Sequence, residues 1–172
     1  MLTLTRKAAA IALSVSLALP LTAPIAAYAD PARGPETVTD ARYGGADSLT
    51  CLTEALYFEA RGEGRAGQRA VAEVILNRVD GGAFPNSVCG VVHQRGQFSY
   101  KKGKRMSNAS SAARARQIAS AALNGAPREL TGGATYFHTT GVRPVWSKRF
   151  TRTTKIGSHI FYRRGGQRVA SN

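Results

Sequence analysis

Groups that commonly build catalytic sites are scarce in this sequence of 172 residues. It contains two cysteines and three histidines, and neither a CxxC nor an HExxH spacing occurs, so no metal site is predicted. After Asp80 the single acidic residue is Glu129. The second half of the chain therefore offers almost no carboxylate, which disfavours any reaction that needs paired carboxylates from both halves.

The N-terminal apolar run is too short for a comfortable membrane span. It covers residues 8–19, follows the basic pair Arg6 and Lys7, and precedes a small-x-small site that ends at Ala29. We predict a signal peptide at residues 1–29, cleaved after Ala29, and export of the remaining chain. A retained membrane anchor is the alternative.

The exported part is predicted to form one domain at residues 47–164, between a flexible Pro- and Gly-containing lead-in at 30–46 and a frayed tail at 165–172. The expected fold is α+β, mostly helical with a small antiparallel β-sheet. Hydrophobic periodicity and alternation predict its elements. The first helix is predicted to run from an N-cap at Asp47 or Ser48 to about Ala60. Further helices are predicted at 67–79, 85–94 and 110–123, and strands at 134–139 and 156–163.

One glutamate stands at the end of an apolar helical stripe. Leu52, Ala55 and Leu56 precede Glu59 by seven, four and three residues, so the four side chains share one helix face. Partial burial and the negative end of the helix dipole both raise a carboxyl pKa, as a general acid requires. The alternative is a structural glutamate that pairs with Arg61 or Arg65.

Several motifs around this glutamate resemble one family. These motifs are YFEARGE at 57–63, GQxAVAxVILNRV at 67–79, FPNxVCGVVxQ at 84–94, GQFS at 96–99, AxYFH at 134–138 and IGxHxFY at 156–162. Their order and spacing resemble those of cell-wall hydrolases of the spore cortex-lytic (SleB) type. The resemblance covers residues 51–162, about two-thirds of the chain. It implies a lysozyme-like fold, cleavage of the peptidoglycan glycan strand between N-acetylmuramic acid and N-acetylglucosamine, and Glu59 as catalytic acid/base.

The scarcity of acids favours a lytic transglycosylase, in which Glu59 acts alone and the muramyl C6 hydroxyl replaces water to give a 1,6-anhydro end. Lysozyme-type hydrolysis is the alternative, with Glu63 as an assisting, ionised and partly exposed carboxylate. Glu54 is expected to lie away from the Glu59 stripe, and Glu73 is expected to be solvated and replaceable by Gln with little effect. A stem-peptide amidase and a non-enzymatic basic murein-binding protein also remain open.

Aromatic, amide and hydroxyl side chains that can contact sugars are predicted to line a groove. The candidates are Gln97, Ser99, Tyr136, His138, Trp146, His159 and Tyr162. Phe98, Phe137 and Phe161 are expected in the core. No cofactor or metal is predicted, and the protein is expected to act as a monomer.

The two cysteines, Cys51 and Cys89, both lie in the exported part, where an oxidising compartment predicts a disulfide between them. Two buried free thiols are the alternative.

The charge is uneven, since residues 81–172 carry sixteen basic residues against Glu129. Such a field attracts polyanions, but no nucleic-acid-binding signature occurs and none is predicted. Anionic polymers of the cell wall are the expected partner, in the periplasm or wall, and a solvated surface that aids solubility is the alternative.

Overall fold

The computed structural model describes residues 43–98, 100 and 103–165. The predicted signal peptide, most of the lead-in and tail, and Ser99 lie outside the described residues, so these predictions stay predictions. The elements are α1 Ala46–Ala60, α2 Arg65–Asp80, α3 Val88–Val92, α4 Ala109–Leu123, β1 Tyr136–Thr139, a 3-10 turn at Val145–Lys148, β2 Thr151–Ile156 and β3 His159–Arg163. No helix in the described ranges is long and apolar enough to cross a membrane.

The helices begin where local capping permits. α3 starts later than predicted because the Ser87 side chain accepts a hydrogen bond from the Gly90 amide, which fixes the N-cap there. Asn108 caps α4 in the same way. The predicted cap of α1 at Asp47 or Ser48 is wrong: its N-cap is Gly45, with φ +95°, and the Ser48 hydroxyl donates back to the Gly44 carbonyl.

α1 lies at the centre of the helical core and packs against α2, α3 and α4. Leu52, Leu56 and Tyr57 of α1 are fully buried, as is Ile75 of α2. Each such aliphatic side chain contributes about 1.5–3 kcal/mol by leaving water. The predicted disulfide between Cys51 and Cys89 is present, with a Cα–Cα distance of 5.3 Å, and joins α1 to α3.

The sheet has three antiparallel strands in the order β1-β3-β2. The sequence predicted β1 and the region of β3, but β2 was missed because Thr151–Ile156 is largely exposed and has no buried alternation. The register pairs Tyr136 with Tyr162 across β1 and β3. Phe161 packs with Ala70, Val74 and Ala134 in a second small core that joins the sheet to α2. The α+β fold class is therefore confirmed.

The expectation that Glu73 is solvated is wrong. Its side chain is buried and accepts hydrogen bonds from the Leu130 amide at 3.0 Å, the Thr131 amide at 3.0 Å and the Thr131 hydroxyl at 2.6 Å. These three donors come from the segment that leads into β1. Glu73 therefore holds this segment against α2.

The buried Arg78 of α2 fixes the next residues of the same segment. Its Nε donates to the Thr135 carbonyl at 2.6 Å, and its guanidinium lies 5.3 Å from the Phe84 ring and 5.8 Å from the Tyr136 ring. Burial lowers the pKa of Arg78 to about 10. The cation therefore remains charged at neutral pH and packs against an aromatic side chain of β1.

Candidate active site

Glu59 lies in the last turn of α1 and is partly buried, while Leu52, Ala55 and Leu56 on its face are fully buried. The predicted stripe is therefore confirmed. The two arginines proposed as structural partners of Glu59 have other contacts: Arg61 donates to the Tyr57 hydroxyl at 3.3 Å and Arg65 to the Gln117 carbonyl oxygen at 3.2 Å.

The end of α1 is closed by groups from the following turn and from α2. The Glu63 amide donates to the Ala60 carbonyl at 3.0 Å, and the buried Gln68 side chain donates to the same oxygen at 3.2 Å. Satisfying this terminal carbonyl holds the last helical turn in place. The backbone that carries Glu59 is therefore fixed by contacts on its C-terminal side.

Tyr100 lies beside Glu59, and the sequence analysis missed it. Its ring stacks on Phe58 at 4.7 Å between centroids, and Lys104 Nζ lies 5.6 Å from the Phe58 centroid. The Tyr100 hydroxyl is buried and has no hydrogen-bond partner among the described residues. Burial first, and then the charges of Glu54 and Glu59, raise the pKa of Tyr100, so the phenol stays protonated. The exposed Gln97 precedes it on the same segment.

Glu63 is fixed at the turn between β2 and β3. Its carboxylate accepts from the Ser158 amide at 3.1 Å and from the Ser158 hydroxyl, and His159 Nδ1 lies 3.8 Å from it. The hydrogen bond from the Ser158 hydroxyl is the largest cause that lowers the pKa of Glu63. Glu63 is therefore ionised and only partly exposed, as expected, although its two hydrogen bonds commit it to this turn.

The sheet brings four predicted sugar-binding residues together. Trp146 lies 5.5 Å from Tyr136, 5.6 Å from His138 and 5.4 Å from Tyr162 between ring centroids. His138 Nδ1 contacts the Thr139 carbonyl at 2.8 Å, which assigns the proton to Nδ1, so Nε2 accepts from the Tyr162 hydroxyl at 3.0 Å. We call Tyr136, His138, Trp146 and Tyr162 the aromatic cluster.

His159 does not join the aromatic cluster. It alternates with Tyr162 along β3, is buried, and contacts the Phe137 ring at 5.1 Å on the side of the sheet that carries Phe161. Burial is the largest cause that lowers the pKa of His159, so the ring is neutral at neutral pH. The structure therefore gives His159 a packing position next to Glu63.

Three cavities lie in the described part of the chain. One of about 310 Å³ is bordered by Gln94, Phe98 and Tyr100. Two others, of about 190 and 450 Å³, lie between α2, α4 and the segment that contains Arg128. Among the described residues, no group of three or more His, Cys, Asp or Glu side chains could hold a metal ion.

Comparisons with known proteins place these features in a family context. A family model described as Cell Wall Hydrolase matches residues 62–162. The chain is 35% identical over 130 residues to the spore cortex-lytic enzyme of Halalkalibacterium halodurans, with 73% of this chain and 38% of the relative covered. The enzyme of the same name from Bacillus cereus is 34% identical over 118 residues, with 67% and 44% covered. The chain thus spans less than half the length of these curated relatives.

Two solved structures are similar over most of the described fold. One is the catalytic domain of the germination-specific lytic transglycosylase SleB from Bacillus anthracis, with a TM-score of 0.57, 30% identity, and 70% of this chain and 97% of that one covered. The other is the catalytic domain of the Bacillus cereus SleB protein, with a TM-score of 0.57, 28% identity, and 76% and 100% covered. The present chain therefore matches catalytic domains of this type over nearly their whole length.

Proposed function

Because the chain belongs to the cell wall hydrolase family, we propose that it cleaves the glycan strand of peptidoglycan between N-acetylmuramic acid and N-acetylglucosamine, with Glu59 as general acid/base. The observation that carries this proposal is Glu59 itself, a partly buried carboxyl in the last turn of α1, on the face of a fully buried apolar stripe and beside the stacked pair Phe58 and Tyr100. The family match begins at residue 62, so the role of Glu59 rests on this geometry and on the sequence motif.

The reaction needs one acid that later acts as a base. Protonated Glu59 donates its proton to the glycosidic oxygen, and the bond from the muramyl C1 to that oxygen breaks. Glu59 then takes the proton from the muramyl C6 hydroxyl, whose oxygen forms the new bond to C1. This intramolecular hydroxyl reaches a high effective concentration without a base that activates water. The product ends in 1,6-anhydromuramic acid.

The position of Glu63 favours this reaction over lysozyme-type hydrolysis. A hydrolase needs a second carboxylate that can contact the sugar or a water molecule. Glu63 instead accepts two hydrogen bonds from Ser158 and lies against His159. The name of the Bacillus anthracis relative, a lytic transglycosylase, supports the same reaction.

The aromatic cluster supplies the sugar-binding surface in this proposal. Aromatic rings stack on the apolar faces of sugars. Tyr136 and Trp146 are partly exposed, whereas His138 and Tyr162 are buried, hydrogen-bond to each other and support the Trp146 ring from below. The basic side chains after residue 80 attract the carboxylates of the stem peptides. Export through the N-terminal signal peptide would bring the protein to this substrate.

The test is a digest of purified sacculi by wild type, Glu59→Gln and the control Glu129→Gln, which changes an exposed carboxylate. We expect wild type and the control to release muropeptides that end in 1,6-anhydromuramic acid and resist borohydride reduction. Glu59→Gln should lose about 10²–10⁴-fold in rate while it still binds sacculi. Reducible ends would indicate hydrolysis, new peptide termini an amidase, and full activity of Glu59→Gln would remove the proposal.

A further inference from the structure

Glu63 occupies a space that two glycines leave for it. A Cβ atom at Gly157, in the β2–β3 turn, would lie 1.8 Å from Glu63 Oε2, and a Cβ atom at Gly67, in α2, would lie 2.6 Å from Glu63 Cβ. Gly157 also has φ +57°, which an L side chain rarely adopts. The carboxylate therefore packs directly against the backbone of the β2–β3 turn.

Hydrogen bonds complete this contact. The Ser158 amide and hydroxyl both donate to the Glu63 carboxylate, although the two residues are 95 positions apart in the chain. The Ser158 carbonyl accepts from the Thr140 amide at 2.8 Å, so the same turn is tied to the end of β1. On the other side, the Glu63 amide donates to Ala60, the residue after Glu59. One residue thus connects the end of α1 to the turn between β2 and β3.

We propose that Glu63 is a positioning residue, which holds the β2–β3 turn against the end of α1 and so fixes the backbone that carries Glu59. The proposal rests on the proposed function, because its consequence is a fixed position of the acid Glu59 relative to the scissile bond. Glu63 itself does not contact the reacting atoms. Its ionised carboxylate is needed as an acceptor for both Ser158 donors.

The lock depends on pH through the charge of Glu63. The groups that face it are Ser158 and His159, with His138 on the far side of His159, and the backbone of Gly67 in α2 lies against its side chain. Because the pKa of Glu63 is lowered in the fold, its contribution is present at neutral pH and is lost as the pH falls below the ordinary range for glutamate. The acidic limb of the activity profile should therefore report Glu63. The alkaline limb should report Glu59, which must start protonated.

A double-mutant cycle tests the contact without reference to activity. Thermal unfolding is measured for wild type, Glu63→Ala, Gly157→Ala and the double variant. We expect Gly157→Ala to lower the midpoint strongly in wild type and less when Glu63 is already Ala, because the clash with the carboxylate is then gone and only the strain of φ +57° remains. Additive losses would overturn the proposed lock, and they would leave the assignment of Glu59 untouched.

The pH profile of sacculus cleavage tests the positioning role. Glu63→Gln should lower turnover about 10- to 100-fold, still yield 1,6-anhydro ends, and lose the acidic limb while it keeps the alkaline one. Ser158→Ala, which removes the largest cause of the lowered pKa of Glu63, should move the acidic limb to higher pH. Glu129→Gln should behave as wild type.

Circular dichroism at each pH will show whether Glu63→Gln is folded. If it is not, the pH profile of Ser158→Ala still tests the proposal. An acidic limb that stays in place in Ser158→Ala, or that persists unchanged in folded Glu63→Gln, would contradict the positioning role. A folded Glu63→Gln with full turnover would do the same. If the wild-type protein does not cleave sacculi at all, the proposed function is wrong.

Discussion

Replacing Glu73 by Gln should destabilise the protein without removing its activity. In the native fold one carboxylate oxygen accepts from the Thr131 amide and hydroxyl, and the other accepts from the Leu130 amide. The glutamine oxygen can keep the Thr131 contacts, but its NH₂ group then faces the Leu130 N–H, so two donors oppose each other. A hydrogen bond to a charged group contributes about 1.5–3 kcal/mol, and the loss of one with weakening of the others amounts to roughly 2–4 kcal/mol.

For a domain of this size, such a loss lowers the melting temperature by roughly 5–15 °C. We would measure thermal and urea unfolding of wild type, Glu73→Gln and Glu129→Gln, because Glu129 is an exposed carboxylate close to the same segment. At a temperature where the variant is folded, sacculus cleavage should stay near wild type, since the Glu73 carboxylate binds Leu130 and Thr131, which take no part in the proposed reaction. Melting of Glu73→Gln within about 1 °C of the control would refute the reasoning.

Three further predictions follow from separate contacts. Reduction of the Cys51–Cys89 bond, which spans 38 residues, should lower stability by about 3–4 kcal/mol, measured by urea unfolding with and without reductant. Tyr162→Phe removes the donor to His138 Nε2 and should cost about 1 kcal/mol in the same assay, together with weaker sacculus binding. Stability should fall on acidification below the ordinary range for glutamate, and Glu63→Gln should flatten that part of the curve; an unchanged curve would contradict the assignment.

Features set by neighbouring residues were predictable from the chain alone. The stripe of Leu52, Ala55 and Leu56 repeats at helical spacing, so it identified both α1 and the face that carries Glu59. The end of α1 at Ala60 followed from the Gly-rich turn. The aromatic alternation around Tyr136 and Tyr162 identified the two strands that pair in the sheet. In each case the signal lies within a few residues, where the period of the backbone decides which side chains share a face.

Functions of individual polar groups depended on contacts between distant segments. Glu73 stands off the apolar face of its helix and was expected in water, yet Leu130 and Thr131, 57 and 58 residues later, bury it. Nothing near Glu63 in the chain indicates that Ser158, 95 residues away, is its partner. Gly67 and Gly157 leave space for the Glu63 carboxylate, but the sequence does not show that both glycines contact the same side chain.

Tyr100 was missed for the same reason, because its significance comes from the Phe58 ring and the nearby carboxylates and not from its own basic segment. Helix and strand periodicity is a property of the local backbone, so short stretches of sequence are enough to predict it. The partner of a buried carboxylate or hydroxyl is chosen by which segments the packed core brings together. That choice is made only when α1, α2 and the sheet have assembled, and it decides which glutamate supports the fold and which one faces the glycan in the proposed reaction.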